Sequence, residues 1–242
     1  MQYAPTKTSA GMIGLRTVQN SNSIYYMTAS IIKISPTSSE PAFARCRDVI
    51  GAGGVIAYPT DTFYALGADP KNSDAVKRLF EIKGREPGQP ILLLLRDRSM
   101  VREWASGVTA EAEALMDAFW PGPLTLVFPA QPSVHQELTG GTGRIGLRVP
   151  GSIVTRRLLE ALGTALTGTS ANRSGGPDLR TAREVDGMLG DKVEIILDAG
   201  RTAGGKASTV VDVSAGELKM IREGAVSEQD LRDTWLKFKK KG

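Results

Sequence analysis

Two rhythms of apolar and polar residues run along this chain, and they predict alternating strands and helices. Ser30 to Ile34 reads as a first strand. From Glu40 to Ala52, the positions Phe43, Ala44, Val49 and Ile50 recur at helical spacing, and Gly51, Gly53 and Gly54 end the helix. Val55–Tyr58 is a short unbroken apolar run, the pattern of a buried strand. Asn72 to Ile82 is amphipathic, with Ala75, Val76, Leu79 and Phe80 on one face and Lys77, Arg78 and Glu81 on the other. A strand at Ile91–Leu95 follows. Thr109 to Phe119 predicts a helix with Glu111 and Glu113 in its early turns, where the helix dipole favours anions, and Trp120-Pro121-Gly122-Pro123 stops it. Strands are predicted at Leu124–Phe128, Arg144–Pro150, Ala165–Thr167, Val193–Leu197, Thr209–Val213 and Leu218–Ile221. Between them, Ser152–Leu162 predicts a helix with Ile153, Val154, Leu158 and Leu159 inward. Thr181 and Glu184 form a capping box that opens another. Ser227 and Asp230 cap a last helix with Leu231, Trp235 and Phe238 on one face. Alternation of this kind is the signature of an α/β fold. Residues 1–29, rich in Ser, Thr and Asn, are expected to be a disordered leader, and 30–242 to form one domain.

Composition adds constraints. The 242 residues are 41% hydrophobic and 23% charged, enough for a substantial core, and 27 Gly and 13 Pro match many tight connections. The single cysteine, Cys46, excludes an internal disulfide and points to a reducing compartment. Its place on a helical pattern with Phe43 and Val49 favours a buried structural thiol. The single histidine, His135, lies in a polar segment, so a histidine-rich metal site, a structural zinc site and a second catalytic histidine are excluded. No G-x-S-x-G accompanies it, and no metal site is expected. The net charge of +4 belongs to the ends: residues 1–39 carry +3 and 232–242 carry +4, leaving −3 for the body. A whole-surface nucleic-acid footprint is therefore not supported, although the basic C-terminal tail offers a contact for RNA. No apolar run approaches the roughly 20 residues of a membrane span, and no signal peptide is visible. A cytoplasmic protein without a membrane partner is expected.

Polar and cationic groups recur where strands end. Pro59-Thr60-Asp61-Thr62 puts three oxygen-bearing side chains at a strand's C-terminal end, the place of the ligand crevice in open α/β sheets. An Asx or Ser/Thr turn satisfying its own backbone explains them equally well. Lys83-Gly84-Arg85-Glu86-Pro87-Gly88-Gln89-Pro90 reads as a stiff, exposed, positive loop suited to phosphate or carboxylate. Lys83 there is expected to contribute little to stability. Arg144, Gly146 and Arg148 share one face of a strand, lining an anion site or facing solvent. Gly168–Pro177 is a second polar, glycine-rich strand end able to cradle phosphate oxygens. Gly200–Lys206 has P-loop spacing, but Ala207 stands where Ser or Thr would hold Mg²⁺ and a strand follows in place of a helix. It is rejected as a Walker motif and expected to be a mobile loop. With no strong candidate base, the pattern fits charge neutralisation on a polyanionic substrate, as in phosphoryl or nucleotidyl transfer.

Seven ordered blocks cover about residues 40–226: Tyr58–Gly67, Lys83-Gly-Arg85 with Pro90, Trp120–Thr125, Gly146–Pro150, Ser170-Ala-Asn172 with Ser174-Gly175, Ser208–Asp212 and Ile221–Gly224. In these the chain resembles the YrdC/Sua5 family, the threonylcarbamoyl-AMP synthases of tRNA modification. The resemblance implies an α/β fold with a twisted mixed sheet and flanking helices around a deep cavity. It implies conversion of L-threonine, bicarbonate and ATP, with Mg²⁺, to L-threonylcarbamoyladenylate and pyrophosphate. That product serves N6-threonylcarbamoyladenosine formation in tRNA. Lys83 and Arg85 would hold bicarbonate or carbamate oxygens and ATP phosphates as catalytic groups. Thr62, Arg148 and Ser208 would contact threonine, Ser170, Asn172 and Arg222 would bind ATP, and Gln89 would lie near the nucleotide. Two departures stand out. Many members carry a histidine at the end of the strand after the K-x-R loop, whereas Leu92–Leu95 has none, with Leu94 near that position. A longer family form has an extra C-terminal domain. Ending at Gly242, this chain resembles the short single-domain form, which would need partner proteins for transfer to tRNA. Competing readings are a non-catalytic double-stranded-RNA-binding module and a carbamoyl-transfer domain related to hydrogenase maturation.

Overall fold

The computed structural model describes residues 16–20, 23–35, 39–84 and 88–239. In chain order the elements are β1 (Arg16–Asn20), β2 (Ser23–Met27), β3 (Ser30–Lys33), α1 (Glu40–Gly51), β4 (Ile56–Pro59), β5 (Tyr64–Gly67), α2 (Ser73–Lys83) and β6 (Leu92–Leu94). After a 3₁₀ turn at Arg98–Met100 come α3 (Val101–Trp104), α4 (Ala110–Phe119), β7 (Leu124–Pro129), α5 (Gln136–Thr139), β8 (Arg144–Arg148) and α6 (Ile153–Leu162). The chain continues through β9 (Leu166–Ser170), α7 (Ala182–Leu189), β10 (Ile195–Asp198), β11 (Thr209–Asp212), β12 (Lys219–Arg222) and α8 (Glu228–Lys239). Strands β1 and β2, inside the stretch read as a leader, pair with each other as an antiparallel ribbon. The other ten form one mixed sheet in the order β12-β11-β7-β8-β6-β9-β5-β4-β10-β3.

The two faces of this sheet are covered differently, and strand alternation decides which residue meets which cover. Leu93 of β6, Leu124, Leu126 and Phe128 of β7, Ile145 and Leu147 of β8, and Val211 of β11 point into the larger core cluster. There Leu79 of α2, Leu115 of α4, Val185 of α7 and Leu231 of α8 meet them. On the opposite face, Phe43, Cys46 and Ile50 of α1 and Leu158 and Leu159 of α6 pack on Ile56, Tyr58, Leu166, Ile195 and Leu197. Each fully buried aliphatic side chain there stabilises the fold by about 1.5–3 kcal/mol relative to exposure. That second cover spans β4, β9 and β10. It reaches Leu94 of β6, but among the described residues it includes none from β8, β7 and β11, whose alternate residues line a cavity.

The predicted helices at α1, α2, α4, α6, α7 and α8 are all present. Asn72 caps α2 by accepting from the N–H groups of Asp74 and Ala75 at 3.1 Å each. The Thr181–Glu184 capping box is formed in both directions. Two inward assignments fail: Ile153 is 59% and Phe238 45% exposed, each at a helix end beyond the packed stripe. Strand β5 was not predicted, because four residues give no period. A hairpin through Thr60–Phe63 pairs it with β4 from Pro59↔Tyr64 to Ile56↔Gly67. Strand β9 runs on to Ser170, so Gly168–Ser170, expected to begin the loop, are strand. It is fixed by Leu92↔Gly168 on one side and Ala65↔Ser170 on the other.

Candidate functional site

The cavity left by the short helical cover has a volume of about 760 Å³. Thr62, Lys83, Gln89, Arg148, Ser170, Asn172, Ser208 and Arg222 all line it, as do Thr60, Leu94, Thr125, Arg144, Asp178 and Asp212. The structure thus gathers residues spread over 161 positions of sequence, from 62 to 222, around one space. Arg85 lies outside the described residues.

Lys83 closes α2. Gly84 follows with a φ of 57°, so the chain can turn away while the side chain stays behind. The expectation of an exposed loop lysine is corrected here, since Lys83 is only 4% exposed. Its Nζ donates to the Ser170 carbonyl at 2.6 Å, to Asn172 Oδ1 at 2.9 Å and to Ser170 Oγ at 3.3 Å. Ser170 Oγ donates to the same Asn172 oxygen at 2.7 Å, and Asn172 Nδ2 donates to the Gly176 carbonyl at 2.6 Å. The backbone contributes as well, with Ser174 N–H donating to the Lys83 carbonyl at 3.0 Å. The end of β9, the loop after it and the end of α2 form one hydrogen-bonded unit. In it the buried ammonium donates to neutral carbonyl, amide and hydroxyl oxygens, which fix its position on the cavity wall.

Strand β8 supplies the second cation. Arg148 is 5% exposed; its Nε donates to the Gly122 carbonyl at 2.8 Å and its Nη2 to Asp61 Oδ2 at 2.5 Å. Burial pulls this guanidinium down from its ordinary value, and the Asp61 carboxylate pulls it back up. Two positions on, Gly146 keeps the face between the two arginines low: a Cβ there would lie 3.3 Å from both Leu92 Cβ and Thr125 Cγ2. At the other end of the strand, Arg144 Nη1 pairs with Asp212 Oδ2 at 2.8 Å. The face reading of Arg144, Gly146 and Arg148 holds, and it is the cavity face.

The turn after β4 divides its labour. Thr60 Oγ1 donates to the Phe63 carbonyl at 2.7 Å and accepts from the N–H groups of Thr62 and Phe63, the self-satisfying turn. Thr62 is half-buried on the cavity wall, with its Oγ1 3.2 Å from Thr60 Oγ1. On β11's approach, Ser208 Oγ lies 3.2 Å from Thr125 Oγ1. Arg222 Nη2 donates to the Ser208 carbonyl at 2.8 Å and reaches Ser208 Oγ at 3.3 Å. Gly224 makes that approach possible, because a Cβ at this position would sit 2.2 Å from the Ala207 carbonyl oxygen. The glycine-rich segment expected to be mobile is tied down. Gly204 N–H donates to the Thr62 carbonyl at 2.8 Å, Tyr64 Oη to Gly200 at 3.0 Å, and Arg180 Nη2 to Thr202 and Ala203 at 3.0 and 2.6 Å.

Cys46 is buried, and burial pushes its thiol up to about 12. His135 contacts the Lys71 carbonyl at 3.1 Å and does not line the cavity. Among the described residues, no group of three His, Cys, Asp or Glu side chains is placed to hold a metal, and no helix is long and apolar enough to cross a membrane. Sequence reasoning missed Asp61 and Asp212 as partners of the two β8 arginines, and Thr125 beside Ser208. The usable signal was the period-2 register: Ser208, Val210 and Asp212 share a face, as do Thr125 and Val127.

Comparison with known proteins adds the following. The Sua5/YciO/YrdC family model, described as "Telomere recombination", matches residues 48–224. The threonylcarbamoyl-AMP synthase of Pyrococcus abyssi is 35% identical over 182 residues, which cover 75% of this chain and 54% of that protein. The protein of the same name from Bacillus subtilis is 31% identical over 196 residues, covering 81% of this chain and 57% of that protein. The chain therefore spans little more than half the length of these two relatives. The crystal structure of P. abyssi Sua5 complexed with L-threonine superposes with a TM-score of 0.82 at 32% identity, covering 85% of this chain and 61% of that one.

Proposed function

The chain belongs to the Sua5/YciO/YrdC family, and from that premise we propose that it makes L-threonylcarbamoyladenylate and pyrophosphate from L-threonine, bicarbonate and ATP. The observation that carries this reading is the single cavity in which Lys83, Arg148 and Arg222 converge with Thr62, Ser170, Asn172 and Ser208. Its cations suit a substrate set in which every member carries a carboxylate, carbonate or phosphate. The L-threonine in the related P. abyssi structure supports an amino-acid subsite, and the Thr62–Arg148–Ser208 side of the cavity has the hydroxyls and guanidinium for one.

In this reading bicarbonate loses hydroxide to give CO₂, and the uncharged threonine amine attacks its carbon. The N–C bond of a carbamate forms as one C=O electron pair moves to oxygen, and the nitrogen gives its proton to the released hydroxide, leaving water. A carbamate oxygen then attacks the α-phosphorus of ATP, and the bond to the bridging oxygen breaks to release pyrophosphate. Negative charge builds on phosphate oxygens, where a preorganised, buried Lys83 ammonium and the Arg222 guanidinium stabilise it without reorganising at the moment of reaction. Arg85 and Gln89 complete the nucleotide side. Ser170 and Asn172 act first as the cradle of Lys83 and then as donors to phosphate. ATP enters as its Mg²⁺ complex, with the ion carried on the triphosphate. The adenylate serves tRNA modification in the cytoplasm, handed to partner proteins of the threonylcarbamoyl transfer. The test is pyrophosphate release with ATP, threonine and bicarbonate, each omitted in turn. Release that depends on all three is expected, and release indifferent to threonine would sink the reading.

A further inference from the structure

Asp61 stands beside the cavity rather than on its wall, and its environment is unusual. The hairpin turn is satisfied by Thr60, so the Asp61 side chain is free to cross to β8. There Oδ2 accepts from Arg148 Nη2, and Gly151 leaves it room, since a Cβ at that position would come within 3.3 Å. Its other oxygen, Oδ1, is enclosed and has no hydrogen-bond partner among the described residues. An ionised carboxylate held with one oxygen unsatisfied is costly, and it persists where the surroundings impose it. What it imposes in turn is read on Arg148. Nε is committed to Gly122 and Nη2 to Asp61, while Nη1 bonds to none of the described residues and is not among the enclosed unpartnered atoms. With the guanidinium plane fixed at two corners, the third corner is the one presented to the cavity that Arg148 lines.

We propose that Asp61 is a positioning residue: it fixes the Arg148 guanidinium and supplies its counter-charge so that Nη1 meets the carboxylate of the amino-acid substrate. The inference rests on the synthase reading above. It assigns to the β4–β5 turn a specificity role that acts through β8 and not by contact with substrate. Burial that pulls Arg148 down and Asp61 that pulls it up agree with a counter-charge role.

The experiment is a double-mutant cycle of Asp61→Asn and Arg148→Gln, read as separate KM values for threonine and ATP in the pyrophosphate assay. Threonine-induced stabilisation in thermal melts is read alongside. Asp61→Asn is expected to raise the threonine KM about tenfold or more, with the ATP KM within about twofold, and to weaken the thermal shift by threonine. In the Arg148→Gln background the same change is expected to add little, because its only target is gone. The double variant carries no unpaired buried charge, so it provides a folded comparison if Asp61→Asn alone is unstable. An unchanged threonine KM, an equal rise for threonine and ATP, or an additive loss in the double variant would each overturn the role of Asp61. A wild-type protein without threonine dependence would instead overturn the synthase reading, and this inference with it.

Discussion

Three acceptors hold the Lys83 ammonium, and two of them belong to Ser170. Replacing Lys83 by Ala removes the cation and its bond to the Ser170 carbonyl, while Asn172 Oδ1 keeps Ser170 Oγ as a donor. The expected result is a turnover lower by about 10²–10³-fold, the scale for losing one preorganised electrostatic contact. Stability should also fall by about 1–3 kcal/mol. Pyrophosphate release per folded molecule together with urea unfolding separates the two effects; full activity per folded molecule would remove Lys83 from the chemistry. The sequence showed Lys83 as a cation next to a glycine, and it showed Ser170 and Asn172 as a polar strand end. It could not show that β9 continues through Ser170 and delivers that oxygen to the end of α2, because the pairing that extends β9 is with β5 and β6, far away in the chain. Which arginines Asp61 and Asp212 pair with was illegible for a related reason, although the period-2 register of β11 puts Asp212 on the cavity face. A counter-ion 87 or 68 residues from its arginine leaves no spacing to read.

At the scale of elements, helices were legible where three or four turns repeat a stripe, and the misreadings fall at stripe ends, Ile153 and Phe238. Short elements such as β5, α3 and α5 carry no period. The α7 capping box offers a clean separation of stability from function. Thr181→Ala removes an acceptor for the Glu184 N–H. It is expected to cost about 1 kcal/mol, or about 2–4 °C in melting temperature, with unchanged catalytic constants. A change in threonine or ATP KM would tie α7 to the cavity. Strand β8 gives the opposite case. Gly146→Val adds its branches on the cavity face between Arg144 and Arg148, starting from a Cβ already 3.3 Å from Leu92 and Thr125. We expect kcat/KM to fall by about tenfold or more, with destabilisation of about 1–3 kcal/mol. Retained activity would show that substrates do not lie over that part of β8.

For the whole molecule, the α/β class was legible from alternating periods, while the sheet order was not. The cavity exists because α1 and α6 cover only part of one face, a matter of where helices land and not of what they are made of. The covered part carries its own pH signature. Cys46 sits in it with its thiol pushed up to about 12 by burial, whereas an unfolded thiol ionises near 8.5. Above about pH 9 the unfolded chain therefore releases a proton that the folded chain keeps, and stability falls as pH rises toward 12. Urea unfolding at pH 7, 9 and 10.5 should show this fall, and Cys46→Ala should flatten it; an identical slope in the variant would assign the effect to other groups.

The parallel pairing of β4 with β10 has a consequence during synthesis. Val55 N–H, at the foot of β4, donates to the side-chain Oε2 of Glu194, 139 residues later, and β3 has β10 as its neighbour in the sheet. At about 5–20 residues per second, a ribosome delivers that partner roughly 7–28 s after β4. Through that interval β4 has only its hairpin mate β5 to pair with, and β3 presents bare edges. The nascent chain thus exposes β-rich apolar segments for seconds, and its yield in a cell should depend on elongation rate and on chaperones that shield early strands.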